Sequence, residues 1–256
     1  MPRYDFRTPR IYLDAALAVG SEVALGRDAG NHLFNVLRRK PGDEVLLFNG
    51  RDGEWLAKLG GSAKRPSAAI ERRTRGQPDA GDLHFLFAPL KHARLDYLVQ
   101  KAVELGASRL QPVMTRHTQV ARINLDRMRA NVIEAAQQCG VLALPKVAEP
   151  VALAELAEAG RLLVFCDEDA EVTDPVEALA AAHSTGMPVS VLIGPEGGFA
   201  EEERAALLKR GATLRLALGP RILRADTAGV AALALVQAVL GDWRMDTQPS
   251  SGKGLV

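Results

Sequence analysis

The stretch VLIGPEGGF, residues 191–199, decides the fold class. It ends an apolar run that predicts a strand over Val189–Ile193 buried on both faces. A glycine-rich turn follows, and the acidic residues from Glu201 onward predict the start of a helix. A buried strand that runs through a short turn into a helix is typical of a parallel sheet covered by helices.

The same alternation of strand and helix extends through residues 83–245 on both sides of this stretch. Strands are predicted over Leu83–Ala88, Arg109–Met114, Arg161–Cys166, Val189–Ile193 and Leu214–Leu218. Helices are predicted over Arg94–Leu105, Leu125–Cys139, Leu153–Ala159, Pro175–His183, Glu201–Arg210 and Thr227–Leu240. Because the predicted strands are almost fully apolar, we expect an α/β fold with a mostly parallel sheet.

Residues 1–74 have a different pattern, of short strands separated by glycine turns. Strands are predicted over Val23–Leu25, Glu44–Phe48 and Glu54–Leu59, with one helix over Ala29–Arg39. This pattern favours a small β-barrel-like domain. The segment RTRGQPDAGD, residues 73–82, lacks apolar residues except Ala80 and predicts a linker at 75–82. The polar tail, residues 246–256, is predicted to be disordered.

The composition of the 256-residue chain is that of a globular protein, with 47% hydrophobic residues. No run of about 18 apolar residues predicts a membrane span, and the first ten residues do not resemble a secretory signal. Two cysteines, Cys139 and Cys166, provide neither a disulfide framework nor CxxC spacing. We therefore expect a cytoplasmic protein.

The net charge of +1 is unevenly distributed along the chain. Residues 1–75 contain 14 Lys and Arg against 9 Asp and Glu, whereas the remainder contains 18 against 22. A basic N-terminal third favours binding to nucleic acid through phosphate contacts. A solvated surface with a chance asymmetry of charge is the alternative.

Two segments follow predicted strands and are candidates for a ligand site. One is the turn at residues 194–199, and the other is LALGPRILRADT, residues 216–227. Ligands of parallel sheets bind beyond the carboxyl ends of the strands. Neither segment matches the dinucleotide motif GxGxxG or a P-loop, so ordinary strand-to-helix turns are the alternative. The five histidines are scattered without metal-ligand spacing, and no metal is expected.

Together these segments resemble the ribosomal RNA small-subunit methyltransferase E family, the 16S rRNA uracil-N3-methyltransferases of the SPOUT superfamily. The resemblance covers roughly residues 3–243. It is carried by His32 to Asp43, FNG at 48–50, APLK at 88–91, QKAVELG at 100–106, Pro112, TR at 115–116, AAQQCG at 135–140, Pro145, IGPEGGF at 193–199 and LGPRILR at 218–224. The chain departs from the family pattern at Gln137, Val141, Ala200 and Asp226.

The resemblance implies a SPOUT-type parallel sheet with a deep trefoil knot and an N-terminal PUA-like barrel that binds RNA. It also implies a homodimer, the small ribosomal subunit as substrate, and S-adenosyl-L-methionine as methyl donor. The implied donor contacts are Phe165, Cys166, Ile193, Gly194, Pro195, Glu196, Gly197, Gly198, Leu216, Leu218, Gly219, Ile222, Leu223 and Arg224. The expected RNA contacts are Arg7, Arg10, His32, Arg38, Arg39, Lys40, Lys91 and Arg116.

Methylation of uridine N3 requires loss of the N3 proton and stabilisation of the developing anion. Arg224 is the candidate for the electrostatic role because it is permanently charged and lies beside the expected donor loop. Phosphate positioning is the alternative role for Arg224. Glu196 is the candidate catalytic carboxylate, with Asp226 as a second. Alternative functions are methylation of another base or of a ribose 2′-OH by a related knotted enzyme, and a non-catalytic rRNA-binding assembly factor.

Overall fold

The computed structural model describes residue 5 and residues 7–182 and 187–243. The predicted tail, residues 246–256, and His183 lie outside the described residues. The chain divides into two compact units that interleave along the sequence. The first consists of Met1–Asp82, Val99–Leu110 and Asn124–Ala148, and the second of Leu83–Leu98, Gln111–Ile123 and Glu149–Val256.

The first unit contains a five-stranded sheet with the order β1-β3-β4-β5-β2. Its strands are β1 Arg10–Tyr12, β2 Glu22–Ala24, β3 Glu44–Phe48, β4 Glu54–Ser62 and β5 Arg65–Arg75. All neighbouring strands pair antiparallel except β1 and β3. Inward-facing apolar residues form one core, which includes Leu33, Val45, Leu47 and Ile70.

Two elements of this unit differ from the sequence-based expectation. The predicted helix over Ala29–Arg39 is a short helix α1, Arg27–Gly30, that continues as a π-helical turn over Asn31–Val36. Strand β5 has no counterpart among the predicted strands, and it extends to Arg75. Only alternate residues at its start are buried, and arginines occupy much of its outer face. Its hydrophobic signal is therefore weak.

The second sheet has the order β12-β10-β11-β6-β7-β8, and β9 pairs with β7. Its strands are β6 Leu83–Phe87, β7 Arg109–Met114, β8 Lys146–Val147, β9 Val151–Ala152, β10 Leu162–Cys166, β11 Val189–Ile193 and β12 Thr213–Leu216. The pairs β10–β11, β10–β12 and β11–β6 are parallel. The predicted α/β fold with a parallel sheet is confirmed.

Helices alternate with these strands as the apolar spacing predicted. They are α2 His92–Glu104, α3 Leu125–Cys139, α4 Pro175–Ala182, α5 Glu201–Leu208 and α6 Ala225–Val239. The helix predicted over Leu153–Ala159 is wrong beyond its first turn. Only Leu153–Glu155 is helical, as one 3₁₀ turn, because Leu156 has extended backbone with ψ 117°. The described residues contain no helix long and apolar enough to cross a membrane.

Helix α3 is defined by caps at both ends. The Asn124 side chain accepts a hydrogen bond from the backbone N–H of Arg127 at 2.9 Å, which is the N-cap that the sequence predicted. At the other end Gly140 has φ 70°, the left-handed conformation that favours glycine at this position. The helix therefore begins and ends where the sequence predicted.

The carboxyl end of α3 is held within the first unit by a buried cluster of charges. Arg10 and Arg75 both donate to the Glu54 carboxylate, at 2.7 and 2.6 Å. The same two guanidinium groups donate to the backbone carbonyls of Gln137 and Gly140. Cations are favourable beside the unpaired carbonyls at a helix C-terminus. Arg10 was expected to contact RNA, and that expectation is wrong because its guanidinium is buried and bonded inside the protein.

Candidate active site

A cavity of about 880 Å³ lies at the carboxyl ends of β10, β11 and β12. These three strands are neighbours in the parallel sheet, so the loops that follow them meet at one edge. The cavity is lined by Arg94, Cys166, Asp167, Glu168, Val172, Ile193, Gly194, Pro195, Glu196, Gly197, Gly198, Leu216, Ala217, Leu218, Gly219, Pro220, Arg221, Ile222, Leu223, Arg224, Ala225 and Ala228. The two segments singled out in the sequence therefore share one cavity.

Every residue expected at the donor site lines this cavity except Phe165. The Phe165 side chain is fully buried and packs edge-on against Phe199, with ring centroids 4.8 Å apart. The expectation for the Phe165 side chain is wrong because inward and outward positions alternate along a strand. Its neighbour Cys166 reaches the cavity instead, and burial raises the pKa of the Cys166 thiol to about 12.

Glycines in the loop after β11 are required by close neighbours. A Cβ on Gly194 would overlap the buried ring of Phe199. A Cβ on Gly198 would overlap Oε1 of Glu168, and Gly198 also has φ 69°. No side chain fits either position without a shift of the loop or of the neighbour. The loop therefore presents mainly backbone N–H and C=O groups to the cavity.

Arg94 connects two parts of the cavity wall, and no motif in the sequence points to it. Its guanidinium forms ion pairs with Glu196 of the loop after β11 and with Asp226 in the first turn of α6. The Arg94 Nε to Asp226 Oδ2 distance is 3.3 Å. Residues 94, 196 and 226 are distant in sequence, and only the sheet order predicts that they meet. Both carboxylates considered for catalysis are therefore paired with a cation.

An acidic cluster on the other side of the cavity is also neutralised. The carboxylates of Asp167, Glu168 and Asp169 lie within 4.8 Å of one another. Arg204 forms ion pairs with all three, and Arg215 forms a second one with Asp167 at 2.7 Å. The two guanidinium groups supply the positive charge that a bound cation would otherwise provide.

The loop after β7 packs against the loop after β11. Nδ1 of His117 lies 3.2 Å from the carbonyl oxygen of Gly197 and 3.1 Å from that of Gly198. The Glu203 carboxylate of α5 accepts from the backbone N–H of Arg116 at 2.8 Å. Glu203 also accepts from the backbone N–H of Ala200 at 3.0 Å. It thereby bonds the N-terminus of α5, where Ala200 supplies no side-chain cap.

The segment from Arg221 to Arg224 forms an exposed rim of the cavity. Arg221 and Arg224 are exposed, and Ile222 is exposed by 89%. Arg224 is the N-cap of α6 with extended backbone. A permanently charged guanidinium and an exposed apolar side chain therefore stand together at the cavity mouth.

Most cations expected to contact RNA are solvent-accessible. Arg7, His32, Arg38, Lys40, Lys91 and Arg116 are exposed, and Arg39 is half-buried. Arg38 has φ 54°, an uncommon conformation for a residue with a side chain. It lies just after the π-helical turn and leads into Arg39 and Lys40, so three consecutive cations stand at the end of a tight turn.

Comparison with known proteins places the chain in a family. An RNA methyltransferase domain matches residues 77–237, and an RNA methyltransferase PUA domain matches residues 25–70. The ribosomal RNA small subunit methyltransferase E of Rickettsia conorii is 30% identical over 89% of this chain and 94% of its own length. The chain belongs to this family. The RNA methyltransferases of this family include solved structures that match the fold described above.

One such structure is the ribosomal RNA small subunit methyltransferase E of Neisseria gonorrhoeae, solved bound to S-adenosyl methionine. It is 28% identical, with a TM-score of 0.80 over 93% of this chain and 100% of that chain. A methyltransferase of Legionella pneumophila, solved in complex with the cofactor SAM, is 30% identical. Its TM-score is 0.77 over 91% of this chain and 98% of its own. This chain is thus an rRNA methyltransferase by family.

Proposed function

We propose that this methyltransferase transfers a methyl group from S-adenosylmethionine to N3 of a uridine in 16S rRNA of the small ribosomal subunit. The observation that carries the proposal is the cavity formed by the loops after β10, β11 and β12. It lies at the carboxyl edge of the parallel sheet, where ligands of such folds bind. Family membership supplies the reaction class and the RNA substrate.

The cavity suits the proposed donor in size and in chemistry. Its volume of about 880 Å³ lies in the range of small-molecule sites. Apolar side chains from Ile193, Leu216, Leu218 and Leu223 offer a surface for the adenine ring. The glycine-rich backbone after β11 offers N–H and C=O groups for polar edges. When bound, the donor supplies an electrophilic methyl group.

The remaining donor contacts follow from the lining of the cavity. They are Cys166, Gly194, Pro195, Glu196, Gly197, Gly198, Gly219, Ile222 and Arg224. Arg94 is added to them as a positioning residue, because its ion pairs connect the loop after β11 to the first turn of α6. Arg224 at the rim is proposed to stabilise the negative charge that develops on the uridine.

RNA is proposed to bind across the exposed cations of both units. Arg38, Arg39 and Lys40 contribute from the first unit, and Lys91 and Arg116 from the second. Arg7 and His32 complete this set. Arginine and lysine side chains at such positions fix the RNA through its phosphates, whereas the reacting base is selected at the cavity.

We further propose that the enzyme is a cytoplasmic homodimer and that its cavity loops form the trefoil knot implied by the family resemblance. Support for the dimer comes from α6. Its buried residues, which include Gly229, Leu233 and Val236, lie on one face. Val230 and Leu235 on the remaining surface are apolar and only half-buried, as expected for a face that a second copy covers.

A methylation assay with labelled S-adenosylmethionine tests the proposed function. Small subunits and naked 16S rRNA are the substrates, and the product nucleoside is identified after digestion. We expect N3-methyluridine. A 2′-O-methylated nucleoside or another methylated base would contradict the proposed position, and the absence of both transfer and donor binding would indicate an rRNA-binding assembly factor.

A further inference from the structure

The proposed reaction leaves one role without a residue, which is removal of the uridine N3 proton. The nitrogen lone pair can attack the methyl group only as the N–H bond breaks. A group that accepts this proton must therefore lie beside the cavity if the proposed function holds.

Most ionisable side chains around the cavity are poorly suited to accept a proton. Glu196 and Asp226 are both paired with Arg94, and an ion pair weakens the basicity of a carboxylate. Glu168 is paired with Arg204, and Asp167 is buried and paired with two arginines. Arg224 is permanently protonated. The Cys166 thiol has a pKa of about 12.

His117 differs from these groups because its ring is oriented by backbone atoms rather than by a charge. Its Nδ1 lies 3.2 and 3.1 Å from the carbonyl oxygens of Gly197 and Gly198. Carbonyl oxygens only accept hydrogen bonds, so Nδ1 carries the hydrogen and donates it. In the neutral imidazole the other nitrogen, Nε2, then carries a lone pair.

The position of this ring matches the role. Gly197 and Gly198 line the cavity, and His117 contacts their carbonyls from the exposed loop after β7. His117 is itself exposed, so a base entering beside the cavity can reach it. An imidazole is the side chain best able to take up and release a proton near neutral pH.

We propose that Nε2 of His117 is the catalytic base that accepts the N3 proton of the target uridine. The N3–H electron pair stays on the nitrogen and forms the N3–CH3 bond. The bond between that carbon and the donor sulfur breaks, and its electron pair neutralises the sulfonium. His117 becomes an imidazolium and returns its proton to water. The backbone carbonyls of Gly197 and Gly198 keep the ring oriented and stabilise its charged form.

Charged groups surround this loop on three sides. Arg116 precedes His117 in the chain and bonds to Glu202 and Glu203 of α5. Glu168 lies against Gly198. Since Arg116 is paired with Glu202 and Glu168 with Arg204, the nearby charges largely compensate one another, and protonation of His117 is the titration expected to control the rate at acid pH.

The test is His117→Asn, which separates positioning from proton transfer. The Asn amide nitrogen replaces Nδ1 and still donates to the Gly197 and Gly198 carbonyls, but the basic nitrogen is lost. We expect kcat to fall by about 100-fold or more, the range for loss of a general base. Donor affinity measured by calorimetry should change less than about twofold. The acid limb of the wild-type kcat profile should disappear in the variant.

The matched control is His92→Asn, which makes the same change at an exposed histidine that has φ 35°, a conformation that Asn tolerates. It should keep the wild-type acid limb. Wild-type kcat and an unchanged pH profile in His117→Asn would overturn the proposal, as would a loss of donor binding that fully accounts for the lost rate. The product of the wild-type enzyme is identified in the same reactions. N3-methyluridine there shows that a failure concerns His117 alone, whereas a different product overturns both proposals.

Discussion

Gly198 is the residue at which the cavity wall tolerates least change. Its φ of 69° acts together with the overlap that a Cβ would make with Oε1 of Glu168. Gly198→Ala is expected to cost roughly 1–2 kcal/mol in backbone strain and to displace the loop or the Glu168 side chain. Affinity for S-adenosylmethionine, measured by calorimetry, should fall by about tenfold or more, which is the factor that such a strain produces.

Gly211→Ala is the control for this variant, because no atom lies within 4 Å of its Cβ position and its φ is outside the left-handed region. It should bind the donor as the wild type does. Circular dichroism identifies a variant that fails to fold. Unchanged affinity in folded Gly198→Ala would show that the donor does not depend on this loop.

Glu54 is the residue on which the charge balance of the first unit depends. Its carboxylate is 4% exposed and accepts from Arg10, Arg75 and Thr74. Glu54→Gln leaves two guanidinium groups without their counter-charge, one of them buried, and is expected to destabilise the protein by about 3–5 kcal/mol. Urea unfolding at pH 7 measures the loss. Glu44→Gln, which removes the exposed partner of Lys58, should have little effect.

The same residue predicts a pH dependence. Burial alone would raise the pKa of the Glu54 carboxyl, but hydrogen bonds from Arg75, Arg10 and Thr74 outweigh it and hold the pKa below its usual value of 4.5. The stabilisation is therefore complete above pH 4.5 and is lost as the pH falls through the lower folded-state pKa. The difference in unfolding free energy between the wild type and Glu54→Gln should shrink below pH 4.5. A difference that stays constant as the pH falls to about 3 would contradict this origin.

At the scale of elements, apolar spacing located helices and strands where one face or both faces are buried. Strands β7 and β11 and helix α3 have the predicted bounds. Strand β1 is only three residues long, and β5 is rich in arginine, so neither has a clear period. The site was predicted as two loops because each has its own motif. The partners of Arg94 and His117 depend on strand order, which a single sequence does not specify.

The turn that ends the π-helical segment presents Arg38, Arg39 and Lys40, and it predicts the salt dependence of RNA binding. Replacing all three by Gln should flatten the plot of log affinity against log salt by up to about 2, at roughly 0.7 per lost phosphate contact on single-stranded RNA. Filter binding over a range of salt concentrations measures the slope.

Replacing Arg129, Lys146 and Lys209 by Gln removes the same total charge and is the matched control. These residues are exposed and belong to none of the proposed RNA contacts. An equal change of slope in both variants would mean that net charge, rather than the position of the three cations, governs RNA affinity.

At the scale of the whole molecule, the outer surface of α6 predicts assembly. Leu235→Glu places a charge on a half-buried apolar position and should convert the proposed dimer to a monomer with loss of methyl transfer. Light scattering at micromolar concentration measures the mass. Val236 is unsuitable because it is 2% exposed within its own chain, and a charge there tests folding.

Leu208→Glu on α5 makes the same substitution at an exposed position and should leave the mass unchanged. Circular dichroism must show that both variants are folded. A wild-type enzyme that is active and monomeric would contradict the proposed assembly.

The interleaving of the two units has a consequence for synthesis of the chain on the ribosome. The first unit needs the carbonyls of Gln137 and Gly140, since Arg10 and Arg75 donate to them. Strand β6 and the first part of α2 belong to the second unit and leave the exit tunnel before those carbonyls do. We therefore expect the nascent N-terminal sheet to stay incomplete until Ala148, the last residue of the first unit, has emerged. Proteolytic cutting in the segment 76–82 should accordingly release two pieces that remain associated or unfold, rather than two independent domains.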